Sequence, residues 1–427
     1  MELFPRWLLS VAAQLVEEEP VILLQGPRAG GKTTLLLALA AERAVDLVDL
    51  SDDQVLAVAV QDPDGYVRGL PEPVMVDEYQ RLPGLLGVIK RSVDRRPRPG
   101  AFILAGSVTG SLLPQGSETL AGRSHEMTLW GLSQGEIEGR CERFIDAAFD
   151  HPAVLRGIRS RRSRADYIPL VTRGGYPEAV RRERVSARRR WHLDYAARVA
   201  DRDLADLVRL RRPAILRKVL AASAARTAQV LNVTDLAEDL GANRHTVGSY
   251  LELLERVFLI DQLPAFSRNL TSRIARHPKL HICDTGLGAA LGNLDATTLR
   301  RSPAFGPLLE SFVVAELGKQ LGWSQREVAL SHFRDRDDHE VDVVLQAADG
   351  SVVGIEIKAA ASVGPSDLRG LRFLAERLGT DFRRGLVLYA GPASIQLGDD
   401  PRMLAVPIDA LWTVDDEALQ TAGDATA

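Results

Sequence analysis

Gly26-Pro27-Arg28-Ala29-Gly30-Gly31-Lys32-Thr33 decides how the first third of this chain is read. The eight residues fit the Walker A spacing, with Gly26, Gly31, Lys32 and Thr33 at its fixed positions. Upstream, Val21–Leu24 is an apolar run short enough for a buried strand, and downstream Thr33–Arg43 has helical character. A glycine-rich turn between a strand and a helix N-terminus aims successive backbone N–H groups at one anion, where the helix dipole also favours negative charge. Gly26, Gly30 and Gly31 permit that curl. Lys32 then reaches the β- and γ-phosphates of a nucleotide, and the Thr33 hydroxyl ligates Mg²⁺.

Working outward, Val74-Met75-Val76-Asp77-Glu78 is an apolar strand that ends in two acids, 45 residues after Lys32. At that distance from the loop, Asp77 is expected to hold the Mg²⁺ and Glu78 to polarise an attacking water, a role that suits hydrolysis. A third apolar strand, Phe102–Ala105, leads into Gly106 and Ser107. Ser107 is placed to contact the γ-phosphate or the water. Arg123 is a candidate arginine finger acting on a neighbouring subunit's nucleotide, which makes a homo-oligomer an expectation. With another strand expected at Val45–Leu50 and an amphipathic helix at 4–17, short apolar runs alternate with helices, as in a parallel sheet with helical crossovers.

The chain has 427 residues, with 53 basic against 57 acidic, and only six of the basic ones are lysines. This near balance argues against a binder held to nucleic acid by bulk charge and leaves room only for a local basic patch. At 45% apolar and 26% charged residues, wholesale disorder is excluded. Cys141 and Cys283 lie too far apart in sequence to suggest a disulfide framework. No signal peptide and no run near the ~20 apolar residues of a membrane helix is found, so a cytoplasmic protein without a membrane partner is expected.

Val233–Leu240 and Arg244–Glu255, joined by Gly241-Ala242-Asn243, have helix-turn-helix spacing, and Phe258–Leu263 could form the strand of a wing. If the unit binds DNA, Arg244, His245 and Ser249 face the major groove, with Arg268 and Arg273 near phosphates. The alternative is an interdomain scaffold, since Glu252 and Glu255 oppose the charge. Further on, Val352–Lys358 alternates as a strand, placing Glu356 and Lys358 on one face. Asp342 lies in Val341–Leu345 and Glu310 on a helix. Such a set matches nucleases of the PD-(D/E)xK type, in which Asp342 and Glu356 bind Mg²⁺, Glu310 completes the shell and Lys358 orients the water or stabilises the phosphate. A solvated sheet edge and a nuclease-derived domain without activity remain as alternatives. Asp284-Thr285-Gly286 looks like an aspartic-protease signature, but the chain has one copy and such enzymes need two carboxylates. It is read as a turn ending a strand.

Gly26–Thr34, Val74–Arg81, Ile103–Ser107, Leu120–Arg123 and Gly174-Gly175-Tyr176-Pro177-Glu178 together resemble the bacterial and archaeal AAA-type ATPases of the AAA_14 plus DUF4143 architecture. The later blocks Pro278–Leu287, Leu309–Val313, Glu340-Val341-Asp342 and Glu356-Ile357-Lys358 fit as well, so the resemblance spans residues 4–410. It implies an α/β P-loop NTPase sheet that binds ATP and Mg²⁺, then a winged helix and a restriction-endonuclease-like α/β domain. The expected divisions are 1–132 for the ATPase core, 133–216 for an Arg-rich helical lid, 217–270 for the winged helix-turn-helix, 271–415 for the nuclease-like domain and 416–427 for a polar tail. Members of the family often carry a bulkier residue than Gly30, a departure expected to leave phosphate contact intact. The expected function is an ATPase coupled to a nuclease-like domain, acting on or near DNA. The alternative is a nucleotide-dependent switch or assembly module whose nuclease-like domain is inactive.

Overall fold

A computed structural model describes residues 3–82, 84–108, 120–204, 213–268 and 276–424. The chain forms two compact units. One is built on Met1–Leu132 with two short later segments; the other is built on Ser133–Ala200, Arg212–Glu255 and Leu259–Ala427.

The first unit is a five-stranded, all-parallel sheet of β1 (Val21–Gln25), β2 (Leu47–Asp49), β3 (Val74–Asp77), β4 (Phe102–Gly106) and β5 (Ser124–Thr128), in the order β2-β3-β4-β1-β5. Strands covered on both faces read as unbroken apolar runs, and β1, β3 and β4 do. Their side chains alternate between two cores. Val21, Leu23, Val74, Val76, Phe102 and Leu104 meet the helix Leu85–Arg95 on one face. Ile22, Leu24, Met75, Ile103 and Ala105 meet the helices Leu8–Leu15 and Lys32–Arg43 on the other. The first helix is shorter than the expected 4–17 at both ends; at the C-terminal end, Glu17-Glu18-Glu19 would crowd negative charge against the dipole. β5 has no counterpart in the sequence reading. It is an edge strand whose Ser124, His125, Glu126 and Thr128 stay at least partly exposed, so no apolar run marks it.

In the second unit, Val233–Asp239 and Arg244–Arg256 are helices joined by a turn, as their spacing implies. They are accompanied by a three-stranded antiparallel sheet of β6 (Gln229–Val230), β7 (Ile260–Leu263) and β8 (Lys279–Ile282), ordered β6-β8-β7. A division at 270/271 therefore cuts through a sheet, since β8 lies after it and both strands it is hydrogen-bonded to, β6 and β7, lie before it. Nothing in the composition around 264–278 signals that the chain returns.

The remaining sheet is six-stranded and mixed. It comprises β9 (Val328–Arg334), β10 (Glu340–Ala347), β11 (Val352–Lys358), β12 (Phe382–Tyr389), β13 (Ile395–Gln396) and β14 (Met403–Pro407), in the order β13-β14-β12-β11-β10-β9. Leu371, Leu374 and Leu378 of the helix Arg369–Leu378 share a core with Val341, Val344, Val352 and Val387. The expected polar tail is helical over Asp416–Asp424. Two acids in its first turn suit the dipole, and Asp416 Oδ1 pairs with Arg143 Nε at 2.7 Å. No helix among the described residues is long and apolar enough to cross a membrane.

Candidate functional site: the phosphate loop and the C-terminal carboxylates

β1 delivers the chain into the loop at Gly26, whose φ of +153° an L side chain rarely adopts. A Cβ on Gly26 would lie 2.1 Å from the Leu129 carbonyl oxygen, so the glycine is required twice over. Ala29 and Gly31 also take positive φ, at 59° and 102°, and Gly31 opens the helix Lys32–Arg43. The first N–H groups of that helix have no partner within it. Arg28, Ala29, Thr33 and Thr34 are exposed around this turn, while Pro27 and Gly30 are buried beneath it.

Lys32 is 5% exposed, and its ammonium donates to the carbonyls of Gly26 and Pro27, both at 2.9 Å. Burial lowers it to about 8, partly opposed by Glu78 and Asp77. The Thr33 hydroxyl donates to Asp77 Oδ2 at 2.5 Å, which joins the start of the helix to the end of β3. Asp77 Oδ1 accepts from the Glu78 N–H at 2.9 Å, and burial holds this carboxyl above the ordinary range. A hydroxyl and a carboxylate in contact at the mouth of an N–H-lined loop are a donor set that fits a nucleotide's Mg²⁺. Glu78, at φ 54°, turns the chain away from β3. Its Oε2 accepts from Gln80 Nε2 and, at 3.3 Å, from Ser107 Oγ, and Gln80 Nε2 also donates to Ser107 Oγ at 3.1 Å.

Ser107 is thus brought beside Glu78. Gln80 completes the triad, and no local periodicity marks it in the sequence. Arg6 is a second residue the sequence reading missed. Its guanidinium donates to Gly30 O at 2.6 Å and Trp130 O at 2.7 Å, bracing the loop from 24 residues away. Arg123, expected as a finger for a neighbouring copy, is engaged within its own chain. Its Nε pairs with Asp94 Oδ1 at 2.5 Å and its Nη1 donates to Ala121 O at 3.1 Å.

Arg244, His245 and Ser249 are all exposed on the second helix of the two-helix unit. Asn243 caps this helix by accepting from the His245 N–H at 2.8 Å. Glu255, expected to oppose the basic residues, instead accepts from Gln262 of β7 at 2.7 Å. Arg268 pairs with Asp381, and Arg273 lies outside the described residues. Asp284 is a helix cap. Its Oδ1 accepts from the Leu287 N–H at 2.8 Å and its Oδ2 from the Gly175 N–H at 2.7 Å. A Cβ on Gly174 would meet Asp284 Oδ1 at 2.2 Å, so the Gly174-Gly175 and Asp284-Thr285-Gly286 runs interlock and no protease site results.

The C-terminal carboxylates do converge. β10 carries one extra residue between Val341 and Val344 relative to β9, and such a bulge re-aims side chains. Glu310 projects from the helix Phe305–Gln320 toward the same place. What meets them there is Lys279, the first residue of β8. Its Nζ lies 2.7 Å from Glu310 Oε1, 2.8 Å from Glu340 Oε1 and 3.1 Å from Asp342 Oδ1. Burial would lower this ammonium, yet Asp342, Glu310 and Glu340 together hold it above the usual lysine value. Asp342 Oδ2 accepts from the Ile357 N–H at 2.9 Å. Lys358 pairs with Glu356 Oε2 at 3.1 Å and approaches Asp367 at 3.9 Å. Burial and the neighbouring Asp342 push the Glu356 carboxyl up.

Expected as divalent-metal ligands, Glu310 and Asp342 are therefore engaged by an ammonium, and Lys358 is tied to a carboxylate. As arranged, these groups do not fit Mg²⁺, and among the described residues no group of three or more His, Cys, Asp or Glu side chains is disposed to hold a metal. Glu340 was legible in principle, because the period of two puts it on the face of Asp342. Lys279 was not, being 63 residues from Asp342 in sequence.

Family models match an AAA domain over residues 18–138, a domain of unknown function (DUF8612) over 164–298 and a domain of unknown function (DUF4143) over 305–411. Across 395 residues the chain is 31% identical to the uncharacterized protein Rv2008c of Mycobacterium tuberculosis and, equally, to Mb2031c of Mycobacterium bovis, covering 92% of this chain and 81% of each relative. Among solved structures it is similar to the Walker-type ATPase PABY2304 of Pyrococcus abyssi, at 17% identity and a TM-score of 0.42, over 68% of this chain and 96% of that one. With its phosphate loop, parallel sheet and mixed C-terminal sheet, the chain belongs to the family of P-loop ATPases that join an AAA domain to a C-terminal DUF4143 domain.

Proposed function

We propose that this protein hydrolyses ATP with Mg²⁺ and uses the nucleotide state as a switch on or near DNA. The observation that carries this reading is the contact between Thr33 and Asp77 at the mouth of the loop, with Glu78 and Ser107 joined beside it. Backbone N–H groups of the loop between Arg28 and Thr34 bind the phosphates, apart from that of Gly30, which donates to Pro27 O, and Lys32 exchanges the carbonyls of Gly26 and Pro27 for the β- and γ-phosphate oxygens. Thr33 and Asp77 hold the Mg²⁺, which when bound neutralises charge on those oxygens. Glu78 accepts the proton of the attacking water, while Ser107 and Gln80 fix its carboxylate. In a homo-oligomer, Arg123 would serve a neighbouring copy's nucleotide only after releasing Asp94.

Arg244, His245 and Ser249 form the DNA-facing surface of a winged helix. The C-terminal sheet is read as nuclease-like from the residue types Asp342, Glu356 and Lys358, and no cleavage step is assigned to it. ATP turnover by wild type, Lys32→Ala and Glu78→Gln, with and without duplex DNA, tests the core of the reading. Glu78→Gln is expected to bind ATP yet turn over at least ~100-fold more slowly. Turnover at the wild-type rate would refute the assignment. If Arg244→Ala with His245→Ala binds duplex DNA as wild type does, the DNA surface is wrong. An Arg123→Ala protein with unchanged turnover at every protein concentration removes the role in a neighbouring copy.

A further inference from the structure

We propose that the ammonium of Lys279 is the resident cation of the C-terminal carboxylate cluster, and that the cluster takes no divalent metal while Lys279 is in place. This inference rests on reading the C-terminal domain as nuclease-like, because only then is a metal expected among Glu310, Asp342 and Glu356.

Two elements of the fold deliver three carboxylates to one nitrogen. Glu310 comes from the helix Phe305–Gln320, and Glu340 and Asp342 come from β10, whose bulge lies beside Asp342. An ammonium has three N–H donors and no acceptor, and here each donor has a carboxylate oxygen within 3.1 Å. The second oxygen of Asp342 is occupied by the Ile357 N–H, so the residue best placed to bridge a metal has both oxygens engaged within the protein. Glu356 gives one oxygen to Lys358.

The side chain of Lys279 is 2% exposed. A charged group that deep persists only when paired and hydrogen-bonded, which marks this as a built contact and not a passing surface pair. A Mg²⁺ ion needs about six oxygens at roughly 2.1 Å in near-octahedral array. It would have to share Glu310 and Asp342 with a positive charge already in hydrogen-bond contact with both. Two positive centres at that separation, away from water, repel strongly. The cation is supplied by β8, the middle strand of the sheet that accompanies the two-helix unit. Withdrawal of β8 from β10 is therefore the movement that would expose the carboxylates to a metal.

Mn²⁺ binding to the nucleotide-free, full-length protein, followed by electron paramagnetic resonance, tests this. Subtracting the Asp342→Asn count isolates the cluster from any ion held at the phosphate loop, and Glu356→Gln provides the same subtraction if the first variant does not fold. Wild type is expected to bind the same number of ions as Asp342→Asn. Lys279→Met is expected to gain one equivalent and to lose it again on adding Asp342→Asn. Should Lys279→Met be insoluble, Lys279→Met with Glu310→Gln removes one charge of each sign and carries the same expectation. A wild-type ion that disappears in Asp342→Asn overturns the inference and leaves the nuclease-like reading standing. Failure of either Lys279 variant to gain an ion, with melting curves showing that it is folded, overturns both.

Discussion

Replacing Gly26 and Gly30 separately by alanine distinguishes a glycine the loop cannot lose from one it can. At Gly26 the added Cβ falls 2.1 Å from the Leu129 carbonyl oxygen, against an ordinary contact of 3.4 Å or more, so about 1.3 Å must open between two backbone segments. Leu129 cannot retreat freely, since its N–H donates to Gln25 O at 2.7 Å on the same sheet. Backbone strain at φ +153° adds roughly 1–3 kcal/mol, and overpacking adds a comparable ~1–3 kcal/mol. The total, about 2–6 kcal/mol, falls on stability, on nucleotide affinity or on both. At Gly30 the Cβ would sit 3.0 Å from Pro27 O and 3.3 Å from Pro27 Cγ, with no positive φ. A shift of a few tenths of an ångström relieves this, and the lost freedom of the unfolded chain returns about 0.4–1 kcal/mol, so a near-neutral change is expected. Thermal melts of both variants, with titration of a fluorescent ATP analogue, read the difference. Gly26→Ala should lose at least ~10-fold in affinity or melt several degrees lower, while Gly30→Ala stays near wild type. Equal behaviour of the two variants would refute the steric reasoning.

Three further outcomes are expected. Lys32 sits at about 8 when the protein is nucleotide-free, and anionic phosphates favour its charged form, so ATP binding at pH 8 should take up roughly half a proton; calorimetry in two buffers of different ionisation enthalpy would show none if the assignment is wrong. Glu142 is buried near Glu136 and Glu316, and burial raises its carboxyl to about 8, while its Oε2 has no hydrogen-bond partner among the described residues. Because the folded value lies above the unfolded one, its stabilisation is complete below pH ~4.5 and is lost as pH rises toward 8. Glu142→Gln should accordingly raise stability at pH 9, by up to roughly 5 kcal/mol and read as a higher melting temperature, and change little at pH 5; equal effects at both pH values would contradict the shift. Arg6→Ala removes donors from Gly30 O and Trp130 O and should weaken ATP binding several-fold with the fold retained, whereas unchanged affinity would show that Arg6 does not brace the loop.

The sequence by itself determined what short windows can encode. Eight consecutive residues demand positive φ, a compact cation and a hydroxyl in fixed order, and neighbouring apolar runs supply the strand and helix that hold them. The same holds for Asp77-Glu78 at a strand end and for the two helices around Gly241, because period and turn chemistry are local properties. The tertiary structure alone decided which distant groups share a charge. Lys279 meets Glu310, Glu340 and Asp342 only because β8, a helix and a bulged β10 pack against one another, and nothing within any of these segments specifies its partners. Arg6 on the loop, Gln80 between Glu78 and Ser107, and Asp284 holding Gly175 follow the same rule. Carboxylate–lysine patterns read as metal ligands in one dimension, since spacing records which residues are present. Which cation they neutralise depends on which buried charge the fold carries to them, and here an ammonium from a neighbouring sheet arrives first.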